Sequence, residues 1–185
     1  MSNLKELTKE QHGNAERQAF VTVLMSGNIN PDFYATYLFN QHKKYDVLEE
    51  MASTAGLLDD LPGIRRATNI EEDFLDLWTD DILPIIVDST EEYISHMKTI
   101  EHDTTSIMAH LYVLHMGDLY GGQMISKRAP GEGRMYQFEG DTTVLKDTIR
   151  AKTTDDMADE AKYVFESATN LFKELMELDI EHYLE

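Results

Sequence analysis

The amino-acid sequence predicts an all-α fold, and three observations carry the prediction. Apolar residues recur three and four positions apart along nearly the whole chain, the spacing of one helix face. The four prolines, Pro31, Pro62, Pro84 and Pro130, fall between these runs rather than inside them. Several runs also open on a residue suited to cap a helix. Leu4, Leu7, Gln11, Ala15, Phe20, Val23 and Leu24 mark a first helix or pair of helices, closed by the turn signal Ser26-Gly27-Asn28. Asn30 before Pro31 places a capping side chain ahead of a proline at the first helical position, and Phe33, Tyr37, Tyr45, Leu48 and Met51 carry that helix to about Ser53. After a break from Gly56 to Arg66, Asn69 with Glu71 and Glu72 in the first turn opens a helix whose apolar residues are Phe74, Leu75, Leu77 and Trp78. Ser89 and Glu92 have capping-box spacing ahead of Tyr93, Ile94 and Met97. Thr104 to Arg128 is the longest periodic stretch, with three glycines inside it, and Pro130 to Gly133 forms a loop. Two helices, about Thr142–Lys152 and Thr154–Leu178, close the chain.

A chain of 185 residues without an internal repeat or linker fits a single domain over 1–185, long enough to bury about 70% of its extended surface around one core. Hydrophobic and charged shares of 42% and 28% exclude disorder and low-complexity arrays. A net charge of −19, from 16 basic and 35 acidic residues, argues against nucleic acid or an anionic membrane as the main partner. The absence of cysteine rules out disulfides, thiolate metal sites and a Cys nucleophile, and makes a reducing cytoplasm the expected compartment. No apolar segment follows the N-terminus, Pro84 breaks the run Ile82 to Val87, and the C-terminus is polar, so no secretory signal, membrane span or tail anchor is expected.

Gly117, Gly121 and Gly122 each cost a helix interior about 1 kcal/mol against Ala. Either that helix packs tightly on another, or it kinks so that bare backbone approaches a flat, bulky ligand with Asp118 beside it. His12 and Glu16 stand four apart on one helix face, so Glu16 can accept one ring N–H and leave the other nitrogen for a metal. Lys9 and Lys5 lie about one and two turns earlier on nearly the same face. The combination suits a ligand that is both a metal chelate and an anion; the alternative is an exposed His on a charged helix. No His has Glu three residues before it, so the Glu-x-x-His signature of di-iron carboxylate bundles is absent.

The run Leu4-Lys5-Glu6, Thr8-Lys9-Glu10, His12 and Ala15-Glu16, followed by Ala109-His110, Tyr112, Gly117-Asp118-Leu119 and Gly121-Gly122-Gln123, resembles the heme oxygenase family in order and separation. The likeness continues through Phe165 and Leu171-Phe172 to Glu177-Leu178. It implies a helical bundle holding heme b between a proximal N-terminal helix and a kinked, glycine-rich distal helix. By that resemblance His12 is the proximal iron ligand and Glu16 its hydrogen-bond partner. Gly117, Gly121 and Gly122 lie over the heme, and Asp118 organises water beside the bound dioxygen. Lys5, Lys9, Lys146 and Arg150 match the cations that hold the propionates, Tyr45 and Tyr112 match hydrogen-bonding tyrosines, and Phe165 matches an aromatic of the pocket wall. Departures from the family pattern are Leu114 and His115 in place of Arg and Tyr, Tyr120 in place of Ser, and Ala168 in place of Asn. They imply a rewired distal network, in which His115 reads as a hydrogen-bonding residue rather than a second iron ligand.

The reaction so implied is oxygen-dependent cleavage of heme at the α-meso carbon to biliverdin IXα, carbon monoxide and Fe2+, with heme as both substrate and prosthetic group. A neutral His ligand suits it better than an electron-pushing thiolate. The chain carries no flavin or nicotinamide fingerprint and no Cys for an iron–sulfur cluster, so electrons must come from an external donor. Likeness to the anchor-free members implies ferredoxin or another reductase as that donor, a bilin reductase as a downstream partner, and a monomer. A heme carrier or sensor is the alternative reading, because His12 and the cations serve binding as well as turnover; Asp118 and its glycines separate the two. Only residues 1–44 and 127–152 have a positive balance, +1 and +2, and they hold the four expected propionate partners. An acidic donor would therefore meet one favourable face on a repulsive body.

Overall fold

The computed structural model describes residues 2–178; Met1 and the last seven residues of the expected 1–185 domain lie outside the described residues. Helices α1 (Leu4–Leu7), α2 (Lys9–Glu16) and α3 (Ala19–Met25) open the chain. The first two are nearly one helix: Thr8 N donates to Leu4 O at 3.1 Å and His12 N to Thr8 O at 3.0 Å. A slight break falls at Thr8, whose hydroxyl also bonds back to Leu4 O at 2.8 Å, a contact that bends helices. Helix α4 (Pro31–Thr54) starts where the sequence places it, with Asn30 Oδ1 accepting from Asp32 N at 2.8 Å and Phe33 N at 3.2 Å. Then come α5 (Ala67–Leu77), α6 (Asp88–Thr99), α7 (Thr104–Leu119), α8 (Gly122–Ile125), α9 (Thr142–Ala151) and α10 (Ala158–Leu178). No strand occurs among the described residues, so the all-α expectation holds.

Two helix starts differ from expectation for one physical reason. Helix α5 opens at Ala67 rather than Asn69, because the Glu49 carboxylate of α4 accepts from Arg66 N at 2.7 Å and Ala67 N at 2.8 Å. Asn69 instead donates to Arg134 O at 2.9 Å. Helix α6 opens at Asp88, and Ser89 does not form a capping box with Glu92: its amide and hydroxyl both go to Glu174 of α10. In each case a carboxylate from another helix satisfies the orphan N–H groups that a local cap would otherwise take. The long stretch 104–128 is also divided. Helix α7 ends at Leu119, Tyr120 adopts φ −109°, ψ −84°, and α8 resumes at Gly122. A 3₁₀ turn, Asp155–Met157, precedes α10, and Leu75, expected on the apolar face of α5, is exposed.

Helix α7 is apolar almost all round and lies inside, packed on α4, α9 and α10. Helix α10 packs also on α2, α3 and α6, so it is the floor on which both α2 and α7 rest. Phe20 of α3 fixes this corner, its ring 5.3 Å from Phe33, 5.2 Å from Tyr37 and 5.5 Å from Phe172. Two cations are internal among the described residues, Lys44 and Arg66. Lys44 is 1% exposed, its Nζ lies 4.8 Å from the Tyr93 ring centroid without a hydrogen-bond partner, and burial lowers its pKa to about 8. The positive balance of residues 1–44 therefore does not all reach the surface. Among the described residues no helix is long and apolar enough to cross a membrane.

Candidate functional site

The N-terminal side of the site is built on α2. His12 and Glu16 meet across one helical turn at 2.8 Å, and the His12 ring stacks on Phe165 of α10 with centroids 5.1 Å apart. Glu16 engages Nε2, which leaves Nδ1 as the free nitrogen in this rotamer. The imidazole is about half exposed and so open to a group arriving from solvent. Lys5 and Lys9 are exposed on the same segment, Lys9 loosely paired with Glu6 at 3.9 Å.

A second group of expected site residues lies at the end of α7. A Cβ added to Gly117 would meet nothing within 4 Å, and one added to Gly121 would meet only the Gly117 carbonyl at 3.7 Å. These two glycines present a bare, exposed face. Gly122 does not share it, which corrects the expectation that all three cover the ligand. It is buried, and a Cβ there would fall 2.4 Å from Tyr136 Cδ1, so its missing side chain admits a core aromatic. Gln123 secures the break, its amide donating to Asp118 O at 3.1 Å and Tyr136 O at 2.8 Å.

Asp118 lies beneath this face and is itself buried. Burial raises its pKa to about 7 against the lowering effect of His115, Tyr45 and Arg66. Tyr45 donates to Asp118 Oδ2 at 2.7 Å, so the structure gives the tyrosine expected from the resemblance a definite partner. His115 is fully buried and meets Glu49 at 3.3 Å. Burial pushes the Glu49 carboxyl up, but His115 and the Arg66 and Ala67 amides together hold it below its ordinary value. Arg66 links this network to the 134–138 segment, donating to Gln137 O at 2.5 Å and lying 4.0 Å from the Phe138 ring. Three buried polar atoms in this region, Tyr34 Oη, Gln41 Oε1 and His115 Nδ1, have no protein partner, the condition under which ordered water is held. The sequence reading omitted Glu49, Arg66, Tyr34 and Gln41. They are far apart in the chain, and no local spacing marks them.

A third group lies on α9, which packs on α7. Lys146 Nζ is 4.2 Å from the Tyr120 ring and Arg150 donates to the Tyr120 hydroxyl, so the tyrosine that replaces the family's Ser engages both cations. Tyr112 is half-buried, which raises its pKa against the nearby charge of Arg150. Arg150 also shares a shallow depression with Ser2, Thr153 and Asp155, where Ser2 Oγ meets Thr153 Oγ1 at 2.7 Å and Asn3 N meets Asp155 at 2.6 Å. That pinning brings the start of α1 towards the end of α9. Ala168, in place of the family's Asn, brings no polar group to the network.

These residues fit a heme on observations of the chain itself. One imidazole is available on α2, and two glycines leave backbone bare on α7 and its break. The flanking elements carry Leu7, Tyr120, Met124 and Val144 as exposed large hydrophobics. The heme oxygenase family model matches residues 1–178. Heme oxygenase 2 of Oryctolagus cuniculus is 28% identical over 203 residues, with 93% of this chain covered, and heme oxygenase 1 of Synechocystis sp. is 26% identical over 202 residues, covering 94% of this chain and 83% of its own length. The chain spans 64% of the length of the rabbit relative. Among solved structures, heme oxygenase from Leptospira interrogans has a TM-score of 0.79 at 28% identity, covering 92% of this chain and 97% of that one. Heme oxygenase-1 from Synechocystis sp. in complex with heme shares the fold at TM-score 0.83 and 24% identity, covering 96% and 92%.

Proposed function

The chain belongs to the heme oxygenase family, and from that premise we propose that it cleaves heme with oxygen to biliverdin IXα, carbon monoxide and Fe2+. The observation that carries the reading is the bare Gly117 and Gly121 backbone above buried Asp118, an arrangement that a heme carrier does not need. Heme, when bound, supplies both the redox-active iron and the macrocycle carbon that is oxidised. His12 would hold the heme iron through its free ring nitrogen, with Glu16 accepting the other ring N–H and setting the tautomer. Lys5, Lys9, Lys146 and Arg150 would pair with the propionates, and through them would set which meso edge is opened, the α edge in this reading. Tyr120 holds Lys146 and Arg150 at that edge.

Asp118 exchanges a proton near neutral pH, the range in which a general acid or base is most effective. Tyr45 orients it, and the buried Glu49–His115 pair with its unsatisfied neighbours holds the water through which protons pass. Electrons come from an acidic one-electron donor such as ferredoxin, in the cytoplasm, through the positive edge around Lys5, Lys9, Lys146 and Arg150. A bilin reductase would consume the product.

The test is to add hemin, a reducing system and air, and to follow the Soret band as a biliverdin spectrum replaces it. Stoichiometric heme binding without biliverdin would favour the carrier. His12→Ala should abolish the His-ligated ferric spectrum until a small imidazole is added; an unchanged spectrum removes His12 from its role.

A further inference from the structure

A second cluster has a metal-type donor set and takes no part in the proposed reaction. His96 in the last turn of α6, His110 in the middle of α7 and Glu160 in the first turn of α10 converge where the three helices meet. Both Nε2 atoms aim at one oxygen: His96 stands 2.5 Å and His110 2.7 Å from Glu160 Oε1. The donor atoms of all three residues lie within 4.8 Å of one another. We propose that His96, His110 and Glu160 bind a divalent first-row transition ion such as Zn2+, at a site separate from the heme.

Two imidazoles and a carboxylate suit Zn2+, Fe2+, Ni2+ or Cu2+, whereas Mg2+ and Ca2+ prefer oxygen ligands throughout. The surroundings have the outer contacts of a metal site. Tyr93 Oη lies 2.7 Å from His110 Nδ1, so Nε2 is the nitrogen turned inward, and the Tyr163 ring lies 3.9 Å from the His96 ring and fixes its plane. His110 is fully buried while Glu160 and His96 are 18% and 27% exposed, which leaves one side open for an ion to enter and keep solvent ligands. Without an ion, the imidazole N–H groups donate to the shared carboxylate oxygen; a divalent cation takes their place, the proton of each Nε2 passing to Nδ1, where Tyr93 Oη accepts it from His110, and the Glu160 carboxylate draws back to admit the ion. Lys44, over the Tyr93 ring, is the nearby charge that opposes it.

Zn2+ titrated into the purified full chain against a chromophoric chelator, with and without hemin, should bind one ion per chain in both forms and raise the melting temperature. Co2+ should give the visible absorption of a mixed nitrogen and oxygen site. Loss of a ligand in H110A or E160Q should weaken binding at least about 100-fold, and Tyr93→Phe about 10- to 100-fold. His96→Ala, at the more exposed ligand, guards against a folding defect at His110, with circular dichroism as the check. Equal affinity in wild type and H96A or E160Q overturns the proposal. So does loss of the ion in H12A, which would assign it to the His12–Glu16 pair. The titration reads no turnover, so its outcome is independent of the heme oxygenase reading.

Discussion

Replacing Asp118 by Asn tests the buried carboxylate directly, because Asn keeps the shape and the acceptor for Tyr45 but removes the titration. Burial raises the Asp118 pKa from 3.8 to about 7. The native chain therefore holds this proton more tightly than the unfolded chain does, and wild-type stability falls as pH rises from about 4 to about 7. A shift of roughly three units at 1.36 kcal/mol each makes the loss about 4 kcal/mol. Below pH 4 the group is protonated in both states and the two proteins should melt close together. Above pH 7 the full difference is present, with Asp118→Asn the more stable. For a domain of this size that is about 8–16 °C in Tm, at about 2–4 °C per kcal/mol. The assay is thermal or denaturant unfolding of the heme-free wild type and variant from pH 4 to 8, taken as a difference so that groups common to both cancel. A difference that is constant with pH, or that favours the wild type above pH 7, would refute the assignment. The same variant should then lose the neutral-pH inflection in biliverdin formation while still binding hemin.

The neighbouring glycines should respond with opposite signs. Gly117→Ala adds a methyl that meets nothing, so the heme-free chain should gain up to about 1 kcal/mol of helix propensity while hemin binding weakens. Gly122→Ala forces a methyl into the Tyr136 ring and should cost about 1–3 kcal/mol. Hemin affinity unchanged in Gly117→Ala would remove that face from the site. Lys44→Met should stabilise the chain by about 3 kcal/mol at pH 7, because burial lowers the Lys44 pKa from 10.5 to about 8 and the native state resists the charge. That gain should close as pH rises from 8 to 10.5, where wild-type stability increases; equal melting at pH 7 would contradict it. Reduction of bound heme by an acidic donor protein should slow as salt is raised, and Lys146→Ala should flatten that dependence. A rate indifferent to both would place the donor elsewhere.

The His12–Glu16 pair, the glycine segment and most helices were legible because each is a local pattern. His12 and Glu16 are four residues apart, Asn30 precedes Pro31, and Gly117, Asp118 and Gly121 stand on one short segment; helical geometry alone fixes how such residues face one another. What crosses between helices was not legible. Glu49 caps α5 and Glu174 caps α6, so the Asn69 and Ser89 signals misplaced both starts. Lys44 enters the positive balance of residues 1–44, yet α6 covers it with Tyr93. Gly122 read as a third bare glycine until Tyr136 filled its place.

The sequence by itself determined an all-helical chain, the pairing of His12 with Glu16 along one helix face and the segment where the glycine-bearing helix breaks. Spacing along a helix sets which residues share a face, and nothing from elsewhere in the chain can alter that. Only the tertiary structure decided the buried state of Asp118, the Glu49–His115–Arg66 network behind it, and the meeting of His96, His110 and Glu160 from three helices. A motif search for Glu-x-x-His passes over that last group, because its ligands are neighbours only after α6, α7 and α10 pack. Burial and cross-helix contact depend on which faces meet, and through desolvation they change the chemistry of residues whose identity the sequence had already stated.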